Sequence, residues 1–210
     1  MAKTALILHV DAQLASPYAM SVFVALHEKA LAFDVSTVDL AAGKNHEAGF
    51  AAISLTRRIP TLVHDGFSLS ESSAICEYID ETFPGTALYP AAARDRARAR
   101  QVQAWLRSDF LPIRAERSTE TIFYGKKMPP LSAAAQASAA KLFGAVAPLI
   151  DPAAEHLFGQ WCIADVDLAV MLKRLIAHGD PVPEPLVSYA ARQWMRASVQ
   201  RWITQTRTPL

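Results

Sequence analysis

The stretch Pro60-Thr61-Leu62-Val63-His64-Asp65-Gly66-Phe67-Ser68-Leu69 predicts a β-hairpin, and the rest of the first half of the chain is interpreted around it. Two short apolar runs flank Asp65-Gly66, a dipeptide that tolerates the positive φ angles of a two-residue hairpin turn. Ile75 and Ile79 follow at helical spacing, so we expect a helix after the hairpin that stops near Pro84-Gly85.

The residues before the hairpin alternate between strand and helix patterns. Ala5–Leu8 and Phe33–Val38 are typical of short strands. Between them, Ser16-Pro17 has the order of a helix N-cap followed by the first helical residue, where proline needs no N–H. Gly43–Ser54 predicts a loop with a short helix. The order β-α-β-(α)-β-β-α predicts an α/β unit over residues 1–86.

The second half has no strand pattern and predicts an all-α unit over residues 94–210, joined to the first by a linker at residues 87–93. Apolar residues repeat at helical spacing along one predicted long helix: Val102, Leu106, Phe110 and Ile113. Later stretches predict further helices: Ser132–Ile150, Asp165–His178 and Glu184–Thr206.

Composition narrows the classes of function. Among 210 residues, 21 Lys+Arg and 20 Asp+Glu give a net charge of +1, which argues against a generic binder of nucleic acid or anionic membranes. Hydrophobic residues make up 51%, which excludes a disordered chain. No apolar run approaches the roughly 20 residues that span a bilayer.

Cysteine usage and the start of the chain favour a cytoplasmic protein. Cys76 and Cys162 are too few for a disulfide framework, and the opening Met-Ala-Lys-Thr lacks a signal-peptide pattern. Residues 1–86 carry 5 Lys+Arg and 10 Asp+Glu, whereas residues 87–210 carry 16 and 10. This split suits two units that attract each other within or between chains, or two ordinary solvated faces.

Ser16-Pro17-Tyr18 is the first candidate for chemistry. A helix N-terminus favours negative charge, and a serine hydroxyl there can donate a hydrogen bond to a thiolate. Such a bond contributes roughly 1.5–3 kcal/mol, while lowering a thiol pKa by about two units needs about 2.7 kcal/mol. The alternative is that Ser16 serves only as the N-cap.

Arg57–Thr61 is the second candidate. A cis Ile59-Pro60 bond would leave the main chain of Ile59 available for strand-like pairing with a peptide ligand. The alternative is an ordinary trans proline at the start of a strand.

Leu69–Ile75 is the third candidate. Ser72 can donate to a carboxylate and Glu71 can accept from an ammonium group, so together they would hold an α-amino acid head group. The alternative is capping alone, with Ser70 as the N-cap and Glu71 in the first helical turn.

The remaining reactive side chains are interpreted as structural. The six histidines and two cysteines have no metal-ligand spacing, so no metal site is predicted. Cys76 is expected to be a buried small hydrophobe, and the chain has no Cys-x-x-Cys pair. His9 is interpreted as structural, with the alternative that it lines the site at Ser16. Asp109 is interpreted as an exposed helix charge, with the alternative that it reaches a ligand across a dimer interface.

Taken together and in this order, the three motifs resemble the cytosolic glutathione transferases, and the resemblance extends over essentially the whole chain. Four segments are especially similar to the bacterial YfcF-type enzymes: Thr56–Pro60, Leu69–Ile75, Arg96–Asp109 and Phe158–Asp165. The Ser-Pro-Tyr motif is similar to the serine-type classes. The resemblance implies a thioredoxin-like glutathione-binding domain at residues 1–86, an all-helical domain at residues 94–210, and a homodimer.

The resemblance also implies roles for residues of the first domain. Ser16 would stabilise the glutathione thiolate. Glu71 and Ser72 would hold the γ-glutamyl end, and Ile59 would pair through its main chain with the cysteinyl residue, beside a cis Pro60. Two cations would reach the glycyl carboxylate: Lys44 and Arg58.

An electrophile pocket between the domains is implied as well. Its candidate lining residues are Tyr18, Trp105, Phe110 and Ile113, although Trp105 and Phe110 equally suit core packing. Asp165 would belong to the capping box of a central helix. The family usually has Ser or Thr three residues earlier, where this chain has Cys162, and cysteine is a weak cap.

The expected function is that of a glutathione transferase. It would need no covalently bound cofactor, use glutathione as co-substrate, and transfer the thiolate to a small electrophile or a peroxide, in detoxification or oxidative stress. Two alternatives stay open: a glutathione-dependent disulfide reductase, and a non-catalytic binding module with the same fold.

Overall fold

The computed structural model describes residues 5–151 and 154–210. The opening Met-Ala-Lys-Thr, on which the signal-peptide expectation depends, lies outside the described residues. The chain divides into two compact units. The first runs as far as Leu88 and includes Arg201–Leu210, and the second is Tyr89–Gln200.

A four-stranded mixed sheet forms the centre of the first unit. Its strands are β1 (Leu6–Asp11), β2 (Asp34–Val38), β3 (Thr61–His64) and β4 (Phe67–Ser70), in the order β2-β1-β3-β4. β2 is parallel to β1, whereas β1 with β3 and β3 with β4 are antiparallel. The hairpin predicted around Asp65-Gly66 is confirmed, with Leu62 opposite Leu69.

Three helices lie between or after the strands of the first unit: α1 (Pro17–Glu28), α2 (Ala48–Ile53) and α3 (Ser72–Thr82). α1 links the parallel strands β1 and β2 and packs against α3, and most of its residues are buried. Together the sheet and helices confirm the predicted thioredoxin-like α/β architecture.

In the residues that the structure describes, the regular elements of the second unit are helices, as predicted, apart from an isolated β-bridge between Phe158 and Gln160. Its helices are α4 (Ala93–Ser108), α5 (Leu111–Glu116), α6 (Glu120–Phe123), α7 (Ala133–Val146), α8 (Ile163–His178) and α9 (Glu184–Trp194); α10 (Ala197–Ile203) continues from there into the first unit. In residues 5–151 and 154–210, no helix has the length and apolar character needed to cross a membrane.

The prediction of one long helix through Ile113 is wrong. α4 ends at Ser108, and Phe110 precedes the separate helix α5. Pro112 explains the break, because proline has no N–H to donate to the Ser108 carbonyl and its ring would clash with that group. Phe110 and Ile113 therefore do not share a helix face with Val102 and Leu106.

The predicted capping box at the start of α8 is confirmed. The fully buried Asp165 carboxylate accepts hydrogen bonds from the Cys162 N–H at 2.9 Å, the Leu157 N–H at 2.9 Å and the Tyr189 hydroxyl at 2.7 Å. Burial, reinforced by the nearby Asp165 charge, raises the pKa values of both the Cys162 thiol and the Tyr189 hydroxyl.

Candidate active site

The strand register brings the three sequence motifs to one end of the sheet. His9 of β1 lies opposite Thr61 of β3, and Thr61 lies opposite Ser70 of β4. The end of β1, the start of β3 and the end of β4 therefore meet. The segments attached there carry Ser16, Ile59-Pro60 and Glu71-Ser72.

Ser16 is the N-cap of α1, as the sequence predicts. Its Oγ accepts a hydrogen bond from the Ala19 N–H at 3.2 Å, and Pro17 occupies the first helical position. This contact uses a lone pair of the oxygen, and a hydroxyl also carries one hydrogen that it can donate. The capping role and donation to a thiolate are therefore compatible at the same atom.

Asp11 organises the loop before Ser16, and the sequence interpretation missed it. Its carboxylate, on a residue only 5% exposed, accepts from the Ala15 N–H at 2.7 Å and the Ser16 N–H at 3.1 Å. The same loop holds Leu14 at a φ of 50°, which is costly for a residue with a side chain. An aspartate at a strand end, just before a helix N-cap, is the signal that could have found it.

The Ile59-Pro60 peptide bond is cis, in agreement with the resemblance. Neither main-chain polar group of Ile59 is hydrogen-bonded to any residue in the described ranges. The neighbouring Arg58 carbonyl, by contrast, accepts from the Ser54 hydroxyl at 3.2 Å and the Thr61 hydroxyl at 2.9 Å. The loop is thus anchored on either side of Ile59, whose own polar groups are left for a ligand.

Glu71 adopts an unusual backbone conformation at the start of α3. Its φ of 76° and ψ of 111° lie in a region that favours glycine, and it is the N-cap residue of the helix. Its exposed carboxylate has no partner in the described part of the chain. Ser72, only 4% exposed, is the first helical residue. The alternative with Ser70 as the N-cap is wrong, because Ser70 ends β4.

The two predicted cations differ in their surroundings. Lys44 is exposed and forms an ion pair with Glu47 at 2.7 Å, and this hydrogen bond raises the lysine pKa. The guanidinium of Arg58 is exposed and without a partner among the described residues. The residues next to these cations are in contact, because the Asn45 side-chain amide donates to the Arg57 carbonyl at 3.0 Å.

His9 lines a cavity of about 470 Å³ next to Lys44. Its ring meets Phe50 of α2 edge-on, with centroids 5.8 Å apart, and burial lowers the pKa of its imidazole. His9 therefore has the packing contact expected of a structural histidine, while it also faces the space beside Lys44.

The residues predicted to line an electrophile pocket are divided between the units. Tyr18 is half-buried in α1 of the first unit. In the second unit, Phe110 and Ile113 are fully buried, whereas Trp105 is half-buried and meets Phe110 edge-on at 4.5 Å. The buried pair has the environment of core residues, which was the alternative left open for Phe110.

Asp109 is not a solitary surface charge. Its carboxylate accepts from Trp105 Nε1 at 2.9 Å and pairs with Lys141, whose hydrogen bond lowers the Asp109 pKa. Asp109 is the C-cap residue of α4 and its side chain is 38% exposed, so it is the exposed helix charge that was expected, and it also binds two side chains.

All the His, Cys, Asp and Glu residues of the chain lie in residues 5–151 and 154–210. No three His, Cys, Asp or Glu side chains there are grouped as metal ligands. Cys76 and Cys162 form no disulfide and are fully buried, so the predicted burial of Cys76 is confirmed.

Two family models match the chain. One is described as the glutathione S-transferase N-terminal domain and matches residues 15–82. The other is described as the glutathione S-transferase C-terminal domain and matches residues 92–207, more than half of the chain. The chain belongs to the glutathione S-transferase family.

Individual relatives of this family support the same assignment. A glutathione transferase homologue from Burkholderia gl BGR1, solved with bound glutathione, is 48% identical, with a TM-score of 0.80 over 95% of this chain and 96% of its own. A glutathione S-transferase from Rhodospirillum rubrum F11 is 26% identical, with a TM-score of 0.75 over 97% and 94% of the two chains.

The matches to curated relatives are shorter. Protein LigF of Sphingobium sp. is 37% identical over 40% of this chain and 34% of its own length. A probable maleylacetoacetate isomerase of Vibrio cholerae is 32% identical over 47% and 46%. The chain thus spans between a third and a half of the length of these two relatives.

Proposed function

We propose that this glutathione S-transferase binds glutathione at the described end of the sheet and stabilises its thiolate through the Ser16 hydroxyl. The observation that carries the proposal is the geometry of Ser16, whose oxygen caps α1 while its hydrogen is left to donate. The glutathione bound to the 48% identical relative supports the choice of ligand. The serine-type assignment and the similarity to YfcF-type enzymes belong to the same proposal.

The chemistry required of Ser16 is a shift in thiol pKa. A hydrogen bond to a charged acceptor contributes about 1.5–3 kcal/mol, which matches a fall of one to two pKa units. Water can take the proton, so no protein base is needed. The thiolate sulfur bonds to an electrophilic carbon, which releases its leaving group with the bonding electron pair. With a hydroperoxide, the O–O bond breaks to release an alcohol, and a second glutathione converts the resulting sulfenic acid to the disulfide and water. The protein contributes positioning rather than a covalent intermediate.

The γ-glutamyl head group would bind at the start of α3. Its ammonium group would pair with the Glu71 carboxylate, and its carboxylate would accept from Ser72 and the first-turn N–H groups. The unusual φ of Glu71 supports this role, because backbone strain of this kind clusters at ligand sites.

The rest of the tripeptide would extend along the loop before β3. The N–H and C=O of Ile59, which have no partner in residues 5–151 and 154–210, would pair with the cysteinyl residue beside cis Pro60, as in strand addition. Arg58, whose guanidinium has no partner among the described residues, would bind the glycyl carboxylate. Lys44 would join it only by leaving Glu47, a small loss because exposed ion pairs are weak.

The electrophile site and the assembly complete the proposal. Of the four residues predicted to line an electrophile site, Tyr18 and Trp105 are half-buried and keep exposed side-chain surface, each in its own unit. The full burial of both cysteines favours direct transfer of the glutathione thiolate over a mixed disulfide with the protein. A cytoplasmic homodimer remains the expected assembly.

Calorimetry with glutathione tests the ligand. We expect the wild type to bind, Glu71→Ala to lose at least about tenfold in affinity because a charged partner is removed, and Glu77→Ala to bind as the wild type does. Absence of binding to the wild type would overturn the proposal. An affinity of Glu71→Ala equal to that of the wild type would contradict the head-group role of Glu71. Separately, turnover measured with an aryl halide, a hydroperoxide and a small disulfide identifies the reaction.

A further inference from the structure

The C-terminal segment of the chain lies against the loop that carries Ser16. Arg207 Nε donates to the Leu14 carbonyl at 3.3 Å, and the Thr208 hydroxyl donates to the Ala12 carbonyl at 3.3 Å. These contacts join residues more than 190 positions apart in the sequence. They fall within the first unit, to which Arg201–Leu210 belongs.

Arg207 is held in place by its own helix end. Its Nη1 donates to the Ile203 carbonyl at 2.8 Å and the Gln205 carbonyl at 3.0 Å, and its Nη2 donates to the Trp202 carbonyl at 2.9 Å. These donors bind carbonyls at the end of α10 and just after it, of which the Trp202 carbonyl also accepts from the Gln205 N–H at 3.3 Å. The guanidinium is therefore a fixed group from which Nε reaches the Leu14 carbonyl.

The segment that presents Arg207 is itself anchored in the core. Trp202 is fully buried, and its ring meets Phe23 of α1 edge-on with centroids 5.2 Å apart. α1 is also the helix that Ser16 caps. Trp202 thus packs on α1, and Arg207 contacts the loop that leads into α1. The position of Arg207 relative to this loop is therefore set by the packing of Trp202.

The loop needs support because it is strained. Leu14 has a φ of 50°, a conformation that persists only where surrounding contacts determine it. Asp11 binds the N–H groups of Ala15 and Ser16, whereas Arg207 and Thr208 bind carbonyls of the same loop. The N–H groups and the carbonyls are therefore held from opposite ends of the chain.

We propose that Arg207 is a positioning residue of the thiol site, which holds the Leu14–Ser16 loop so that the Ser16 hydroxyl is aimed at the bound thiol. This inference rests on the proposed function of Ser16 and extends it to the C-terminal segment. Arg207 does not touch the thiol itself. It acts through the Leu14 carbonyl, and its effect must therefore appear both in the ligand-free loop and in the chemistry.

The first test measures the loop without ligand. Amide hydrogen exchange at Leu14, Ala15 and Ser16 is compared in the wild type, Arg207→Gln and the matched control Arg201→Gln. Arg201 belongs to the same segment but lines a cavity beside His27 and Phe33. We expect exchange to be about tenfold faster in Arg207→Gln alone, since loop opening becomes easier. Equal rates in all three proteins would overturn the inference.

The second test measures the thiol. In Arg207→Gln the pKa of bound glutathione is expected to rise, and kcat/KM to fall about tenfold at neutral pH through misplacement of Ser16. The deficit should shrink at high pH, where the thiol ionises without help. A loss of kcat/KM that is equal at every pH would contradict the positioning role. So would a thiol pKa in Arg207→Gln equal to that in the wild type, where the wild type does lower it.

Two further variants keep the inference testable if Arg207→Gln does not fold. Arg207→Lys keeps the charge with fewer donors, and Thr208→Val removes the contact with Ala12, so both should move exchange and thiol pKa in the same direction by less. A wild type that binds glutathione without lowering its thiol pKa would overturn the proposed role of Ser16. In that case the amide exchange rates still test whether Arg207 holds the loop, independently of the role of Ser16.

Discussion

The Asp11 carboxylate accepts a hydrogen bond from the main-chain N–H of Ser16 at 3.1 Å, and so ties the last residue of β1 to the N-cap of α1. The contact spans five residues and encloses the strained Leu14. The position of the Ser16 hydroxyl thus depends on a carboxylate that need not touch the ligand.

Replacing Asp11 by alanine is expected to destabilise the fold and impair the site together. It leaves the N–H groups of Ala15 and Ser16 without their acceptor, at a cost of about 1–3 kcal/mol in the free energy of unfolding. Denaturant titration measures this cost. Asp39→Ala is the matched control, because Asp39 accepts from the Ala42 N–H in an exposed loop, and a loss as large as that of Asp11→Ala would contradict the account.

Glu71→Gly should stabilise the protein while weakening glutathione binding. Glycine relieves a positive φ that costs glutamate about 1–3 kcal/mol and itself loses about 0.5–1 kcal/mol of chain entropy, so a net gain of about 1 kcal/mol is expected. Glu71→Ala keeps the strain and also loses the carboxylate. Thermal unfolding of the two variants separates the relief of backbone strain from the loss of the carboxylate. If the glycine variant were no more stable than the alanine variant, Glu71 would not be strained.

Cys162→Ser is expected to raise the free energy of unfolding by about 0.5–1 kcal/mol, because serine is a better N-cap than cysteine at the start of α8. Cys76→Ser is the matched control. Cys76 is equally buried but lies inside α3, with its sulfur 3.9 Å from the Ser21 hydroxyl, so serine there forms no helix cap and no gain in stability is expected. Chemical denaturation of both variants checks the prediction, which fails if Cys162→Ser is the less stable protein.

Stability should fall on mild acidification because of His27. Its pKa is lowered by burial and then by Arg201, so the unfolded chain takes up the proton first as the pH falls below about 6.5. The free energy of unfolding therefore decreases from pH 7 through the folded pKa. His27→Gln should flatten this decrease relative to the wild type in denaturant titrations at several pH values, and an unchanged slope would show that other groups cause it.

Local patterns in the sequence predicted much of the first unit. The Asp65-Gly66 hairpin and the Ser16-Pro17 helix start depend on neighbouring residues, and both are present. Pro112 also indicates the break between α4 and α5, but the helical spacing of apolar residues through Ile113 favoured one continuous helix.

Other features depend on long-range contacts that no local pattern shows. The contact of Arg207 with Leu14 and the packing of Trp202 on Phe23 join the two ends of the chain. The positive φ of Glu71 arises where β4 passes directly into α3, a constraint of tertiary structure. These contacts complete the candidate site beyond what motif matching predicts.

The most direct test of the account is the ultraviolet thiolate absorbance of glutathione bound to the wild type and to Ser16→Ala, followed across pH. We predict a thiol pKa in the wild-type complex about one to two units below that of free glutathione, rising towards the free value in Ser16→Ala, while the affinity changes only a few-fold. The same low pKa in both complexes would show that another group activates the thiol and would contradict the central role of Ser16.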